Sequence, residues 1–123
     1  MAGQERWISL IRGLLEEEGY EVETGGALAG SSGLIHAFDL VASKGNRVVC
    51  FDYVGDLESL LEILAKALDV DHVEIYAVSR ADAAKLLPLA LESNKPKFLL
   101  FESEEELASK VKSELGARTR LEF

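Results

Sequence analysis

The sequence predicts an α/β layered domain, a mixed sheet fed by a hairpin and flanked by helices. Three observations predict it. Apolar residues at helical spacing alternate along the chain with short runs rich in β-branched and aromatic residues. The two central runs, 35–43 and 47–54, are mostly apolar on both faces, as strands covered on two sides are. A Lys-Gly-Asn turn joins them, and a helical pattern on either side supplies the covering layers. At 123 residues and 48% hydrophobic, the chain suffices for one compact domain and is short for two, so one domain over 1–123 is expected.

Element by element, Trp7, Ile8, Ile11, Leu14 and Leu15 recur at helical spacing and predict a helix over 4–18, ended at Gly19. Tyr20 and Val22 then alternate with glutamates as a half-exposed strand. GGALAGSSG at 25–33 reads as a loop or a frayed hairpin end. It leads into a strand rather than a helix, which argues against a phosphate cradle. Ile35–Ser43 and Arg47–Val54 form the hairpin. Asp56 suits an N-cap, and Leu57, Leu60, Leu61, Leu64 and Leu68 form the stripe of the helix it opens. Val73–Val78 is a strand. Ser79 with Asp82 suits the cap of a helix over 80–93, which Pro88 kinks or divides. Lys97–Phe101 is the last strand, and Ser103 with Glu106 is a capping-box signature for a helix that Gly116 closes, leaving a flexible tail at 117–123. The predicted order is helix, three strands, helix, strand, helix, strand, helix.

A formal net charge of −9 argues against a generic basic surface for nucleic acid, although a local patch is compatible with it. The acidic runs Glu16–Glu18 and Glu104–Glu106 read as solvated helix faces. No run of about 18 apolar residues is present and the amino terminus lacks the build of a secretory signal, so a cytoplasmic protein is expected. The single cysteine, Cys50, lies in an apolar strand and reads as an inert buried thiol. No Cys/His spacing suits zinc, and no serine or cysteine has a plausible base.

Asp39 and Asp52 are the residues that need explaining, because an ionised carboxylate in an apolar strand is costly without a cation or hydrogen-bond donors. Two carboxylates from adjacent strands are a suitable nucleus for Mg²⁺, which favours oxygen ligands and waters. Hydrolysis would also require a positioned base or cation. Lys66, on the helix after the third strand, is the candidate, since a long side chain can reach back toward that strand. The structural alternative has the aspartates as relics, protonated or bonded to backbone N–H groups and to His36 or Tyr53, and Lys66 with its stem packed and its ammonium in water. His36 falls on the opposite face from Asp39, and His72 reads as a surface residue. Lys44 and Arg47 on the hairpin are candidate nucleic-acid contacts. Lys95, Lys97, Lys110, Lys112, Arg118 and Arg120 could join them in a patch or be scattered solubility charges.

The order of elements, GY at 19–20, FDLVA at 38–42 and VVCFDYV at 48–54 together resemble the restriction-endonuclease-like (PD-(D/E)xK) superfamily, especially its Mrr-like and archaeal Holliday-junction-resolvase branches. The resemblance covers nearly the whole chain. It implies a mixed sheet between helices and, in active members, Mg²⁺-dependent cleavage of DNA, often by a dimer. Asp39 and Asp52 match the two acidic positions that bind the metal. The lysine position is Val54, and the first-helix carboxylate position is Ile8, with Glu5 one turn earlier. Three readings follow: a degenerate nuclease-fold domain serving as a nucleic-acid-related binding or assembly module; an active Mg²⁺-dependent endonuclease or junction resolvase using Asp39, Asp52 and a relocated Lys66; and a protein-interaction scaffold without nucleic-acid contact.

Overall fold

The computed structural model describes residues 2–80 and 95–121. The first helix, α1 (Ala2–Glu17), buries Trp7, Ile11, Leu14 and Leu15. It ends in a left-handed turn at Gly19 (φ 91°), where Tyr20 N donates to Leu15 O at 3.0 Å and Gly19 N to Glu16 O at 3.0 Å. A side chain at Gly19 would be strained there. Strands follow as β1 (Glu21–Thr24), β2 (Ala27–Ala29), β3 (Ile35–Ala37), β4 (Leu40–Lys44) and β5 (Arg47–Tyr53). Then come α2 (Leu57–Asp69), β6 (Glu74–Arg80), β7 (Lys97–Phe101) and α3 (Glu104–Leu121). The fold is mixed α/β, as the sequence predicts.

Five strands form one sheet in the order β1-β4-β5-β6-β7. The pairs β1/β4 and β4/β5 are antiparallel, whereas β5/β6 and β6/β7 are parallel. One face of β5 sends Val49 and Phe51 into a cluster with the α1 residues Trp7, Ile11 and Leu15 and the α3 residues Leu107 and Val111. The other face sends Cys50 and Val54 into a second cluster with Phe38, Leu60, Ile63, Ala67 and Ile75. Central strands read as continuous apolar runs because both faces are covered in this way.

Several sequence expectations need correction. GGALAGSSG is not merely a loop: Ala27–Ala29 pairs antiparallel with Ile35–Ala37 as a separate two-stranded arm. The expected strand Ile35–Ser43 is therefore broken at Phe38 and Asp39. Two bonds hold the bend, Gly25 N to Asp39 O at 3.0 Å and Phe38 N to Gly26 O at 2.8 Å. Gly25 has a φ of 68°, and a Cβ at Gly26 would lie 2.8 Å from Val41 Cγ2, so this corner suits two glycines.

Asp56 caps α2 as expected: Ser59 N donates to its Oδ1 at 2.8 Å, and Asp56 N donates back to Ser59 Oγ at 3.2 Å. The expected leucine stripe is rotated from the face that packs. Leu60, Ile63 and Ala67 are buried, while Leu57, Leu61 and Leu68 are exposed. Ser79 is no cap, since β6 runs on to Arg80 and Ser79 Oγ donates to Val54 O at 2.7 Å inside the core. The expected helix over 80–93, with Asp82 and Pro88, otherwise lies outside the described residues. Ser103 accepts from Glu106 N at 3.2 Å as expected, but α3 continues through Gly116 to Leu121, so 117–121 is helix rather than flexible tail.

Candidate functional site

The β4/β5 ladder closes at the pair Leu40 and Phe51, and the next opposed positions are Asp39 and Asp52. There the carboxylates take over from the backbone. Asp39 N donates to Asp52 Oδ1 at 2.8 Å, and Tyr53 N donates to Asp39 Oδ2 at 2.9 Å. Each aspartate thus accepts a main-chain N–H of the opposite strand, which ties the arm's bend to the end of the central strand.

The third member arrives from α2. That helix is fixed by its Asp56 cap and its Leu60–Ile63–Ala67 face, which leaves Lys66 aimed at the bend. Lys66 Nζ donates to Asp52 Oδ2 at 2.7 Å and to Ala37 O at 2.6 Å, and it lies 5.0 Å from the centre of the Phe38 ring. Asp39, Asp52 and Lys66 are therefore brought together. The side chains in the ion pair are 11% and 17% exposed for Asp52 and Lys66. Burial pushes the Asp52 carboxyl above its ordinary range, and the neighbouring Asp39 charge adds to this. Hydrogen bonds from Lys66 and Asp39 N pull the other way without reversing it.

The lysine position of the expected motif is core. Val54 is 2% exposed and packs in the cluster that holds Phe38, Leu60 and Ile63. Ile8 packs against the opposite cluster, and the Glu5 side chain lies outside those described.

The donor set does not suit the Mg²⁺ that the resemblance implies. Asp52 has one oxygen engaged by an N–H and the other by an ammonium, and Asp39 has one oxygen engaged by an N–H. Among the described residues no group of three or more His, Cys, Asp or Glu side chains is placed to hold a metal. A divalent ion about 4 Å from the ammonium would meet a repulsion of roughly 8 kcal/mol at an effective dielectric constant of about 20.

A second polar cluster, missed by the sequence reading, holds the arm against the end of α2. Asp69 accepts from Ser32 N at 2.9 Å and Ser32 Oγ at 2.6 Å, and its Oδ2 lies 2.7 Å from His36 Nε2. Ser31 N donates to Asp69 O at 2.7 Å, and Ser31 Oγ to Asp71 Oδ2 at 2.6 Å. The Ser32 hydroxyl, His36 and Ser32 N lower the Asp69 carboxyl to about 2. A Cβ at Gly30 would fall 1.9 Å from Asp69 Oδ2, so this contact requires glycine. The signal in the sequence was the small polar run Gly30–Gly33, whose serines have partners more than thirty residues away.

Lys44 and Arg47 form the hairpin end of the same ladder, five positions from the acidic pair, or about 17 Å. Lys44 Nζ donates to Glu18 O at 2.6 Å. Arg47 makes a two-pronged contact with Glu74 at 2.6 and 3.0 Å and donates to Tyr20 Oη at 2.9 Å. The Glu74 hydrogen bond raises the arginine's pKa further. Elsewhere, Lys95 donates to Val70 O, Lys97 pairs with Glu114, Lys110 donates to Leu100 O, and Arg6 pairs with Glu104. The side chains of Arg118 and Arg120 lie outside those described. His72 is exposed with a φ of 64°. Cys50 is fully buried, and burial pushes its thiol up to about 12. No helix among the described residues is long and apolar enough to cross a membrane.

Fold and site together define a mixed α/β domain with an acidic pair where its central antiparallel strands end, one member of which, Asp52, binds Lys66. Among solved structures the chain is similar to one described as the crystal structure of a protein of unknown function, AF1548. The TM-score is 0.53 at 17% identity, over 90% of this chain and 66% of that one, a likeness of fold alone. No protein-family model matches the chain, and no curated protein matches it.

Proposed function

We propose that this chain is a restriction-endonuclease-like domain without efficient phosphodiester hydrolysis, acting as a binding or assembly module. The observation that carries the reading is the state of Asp52: both of its oxygens are engaged within the fold, by Asp39 N and by Lys66 Nζ. An acid so engaged, and 8% exposed, is poorly disposed to present a metal and a water to a phosphate. Two further observations agree with it. In the five-stranded sheet β1, β4 and β5 are antiparallel and β6 and β7 run parallel to β5, a mixed sheet of the kind the resemblance implies. The motif's lysine position, Val54, belongs to the apolar core.

One observation favours the hydrolytic alternative. Lys66 Nζ, 2.7 Å from Asp52, stands close to where an ammonium is needed if the lysine of the motif has moved to α2. A single assay decides. Linear, supercoiled and branched DNA are incubated with a stoichiometric amount of the chain in Mg²⁺ or Mn²⁺. No cleavage is the expected result; cleavage that disappears in Asp39→Ala would establish the nuclease instead. Binding to the same DNAs at low salt then separates the module's two forms. A nucleic-acid module binds with a salt slope that falls when Lys or Arg residues are removed, and a protein scaffold binds none of them.

A further inference from the structure

We infer that the outer face of the β2/β3 arm is a self-association surface, on which a second copy of this chain docks its own arm face to face.

The register of the arm sorts its side chains into two sets. Ala27 opposes Ala37, Leu28 opposes His36, and Ala29 opposes Ile35. Opposed residues of an antiparallel pair share a face, and successive residues alternate between faces. Leu28 and His36 therefore point inward, Leu28 against the second apolar cluster and His36 with its Nε2 2.7 Å from Asp69 Oδ2. Ala27, Ala29, Ile35 and Ala37 make up the other face, and all four are exposed. Ile35 is 68% exposed, and Leu34 beside it in the turn is 64% exposed. A ribbon packed on one side ordinarily turns polar residues to water on the other. This one turns only apolar residues outward.

Two observations choose the occupant. The first is charge. Residues 24–38 contain no Asp, Glu, Lys or Arg, the longest uncharged stretch in a chain of formal net charge −9. A cationic partner finds no acid there to pair with, and a phosphate backbone finds no lysine or arginine. Two copies of an acidic chain, by contrast, meet with least repulsion at their uncharged surfaces. The second is shape. One branched side chain, Ile35, stands among three methyl groups, so under a two-fold axis the Ile35 of each copy lies over the alanines of the other. Such a contact closes on itself and ends at a dimer. The arm is also fixed before docking, because Asp69 accepts from Ser32 N at 2.9 Å and Ser32 Oγ at 2.6 Å, so association loses little to ordering it. The face is far smaller than the roughly 20–30 residues a side of a standard interface, and the dimer is accordingly weak, with a dissociation constant on the order of 0.1–1 mM.

The test is sedimentation equilibrium of the full chain between roughly 10 μM and 1 mM, at low and high salt. The mass should rise toward that of a dimer with concentration, and more so at high salt, which screens the repulsion between two acidic copies. Ile35→Glu should weaken association by at least about tenfold, the scale of one branched apolar side chain left unburied. Ala29→Glu should do the same by setting a charge against the partner copy. Both positions are exposed in the single chain, so both variants should keep the wild-type urea midpoint. If Ile35→Glu lowers that midpoint, Ala29→Glu decides. A wild type that stays monomeric throughout this range at high salt would overturn the inference, as would a dimer that both variants leave intact. A monomeric wild type whose DNA binding falls in Ile35→Glu would give the face to nucleic acid and overturn it as well.

Discussion

Replacing Asp52 and Lys66 together should be far milder than replacing either alone. The pair is short, 2.7 Å, and both side chains are largely removed from water. At an effective dielectric constant of about 20, the Coulomb attraction at that distance is about 6 kcal/mol as a gross figure. Removing the two charges from water costs several kcal/mol each, which leaves a net contribution near zero. The upward displacement of the Asp52 pKa agrees, since it means that burial outweighs the lysine for this carboxyl. Lys66→Met alone leaves a buried carboxylate without its cation, and Asp52→Asn alone leaves a buried ammonium without its anion. Each should cost about 3–5 kcal/mol. The double variant Asp52→Asn with Lys66→Met should fall within about 1–2 kcal/mol of wild type on either side. Urea unfolding of the four proteins with a common m-value measures the cycle. A double variant as unstable as the sum of the singles would refute the coupling, and with it the description of Asp52 and Lys66 as one buried unit.

Other outcomes follow from the same geometry. Val54→Lys restores the lysine of the motif in sequence but places an ammonium in the apolar cluster with Leu60 and Ile63. It should destabilise by at least about 3 kcal/mol in urea melts and leave DNA uncut. For Asp69, whose carboxyl is lowered from 3.8 to about 2, the stabilising contribution is complete above pH 3.8 and is lost as pH falls through about 2. The stability gap between wild type and Asp69→Asn should therefore close over that window. Asp52 has the opposite sign. Its raised pKa means that its contribution is complete below pH 3.8 and is lost as pH rises through the native value, a trend that Asp52→Asn should remove. Native Cys50, fully buried and pushed up to about 12, should react with a thiol reagent only as fast as the chain unfolds.

Much of the fold was legible because its signals are local. The Gly19 stop, the Asp56 cap and the Gly45 turn each depend on a few neighbouring residues, and all stand where the sequence puts them. The doubly apolar strands identified a covered sheet, although not the order of its members. The errors arose where distant partners decide. The arm at 27–37 was obscured because it is held by Asp69, more than thirty residues on, and by a corner where Gly25 takes a positive φ and a Cβ at Gly26 would crowd Val41. Leu57, Leu61 and Leu68 of α2 were misassigned because counting leucines cannot tell which side of a helix the sheet approaches; Leu60 and Leu64 pack as expected, together with Ile63 and Ala67.

The acidic pair was legible for the same reason that it is unusual, charge within apolar strands. Its lysine was less so. Lys66 is 14 positions from Asp52, and only the angle of α2 over the sheet brings the two within 2.7 Å. Arg47, a candidate nucleic-acid contact by composition, has its guanidinium directed at Glu74 and Tyr20, contacts that charge counting does not reveal.

A fixed ammonium, held by Asp52 and Ala37, stands at the end of the central strands. A proton–nitrogen correlation spectrum of the chain labelled with ¹⁵N at lysine side chains addresses it directly. The expected result is one ammonium signal, absent in Lys66→Met, that stays visible through slow exchange at neutral pH and is lost in Asp52→Asn. A Lys66 signal that exchanges with water as fast as surface lysines do, and is indifferent to Asp52→Asn, would show that the ammonium is not held there.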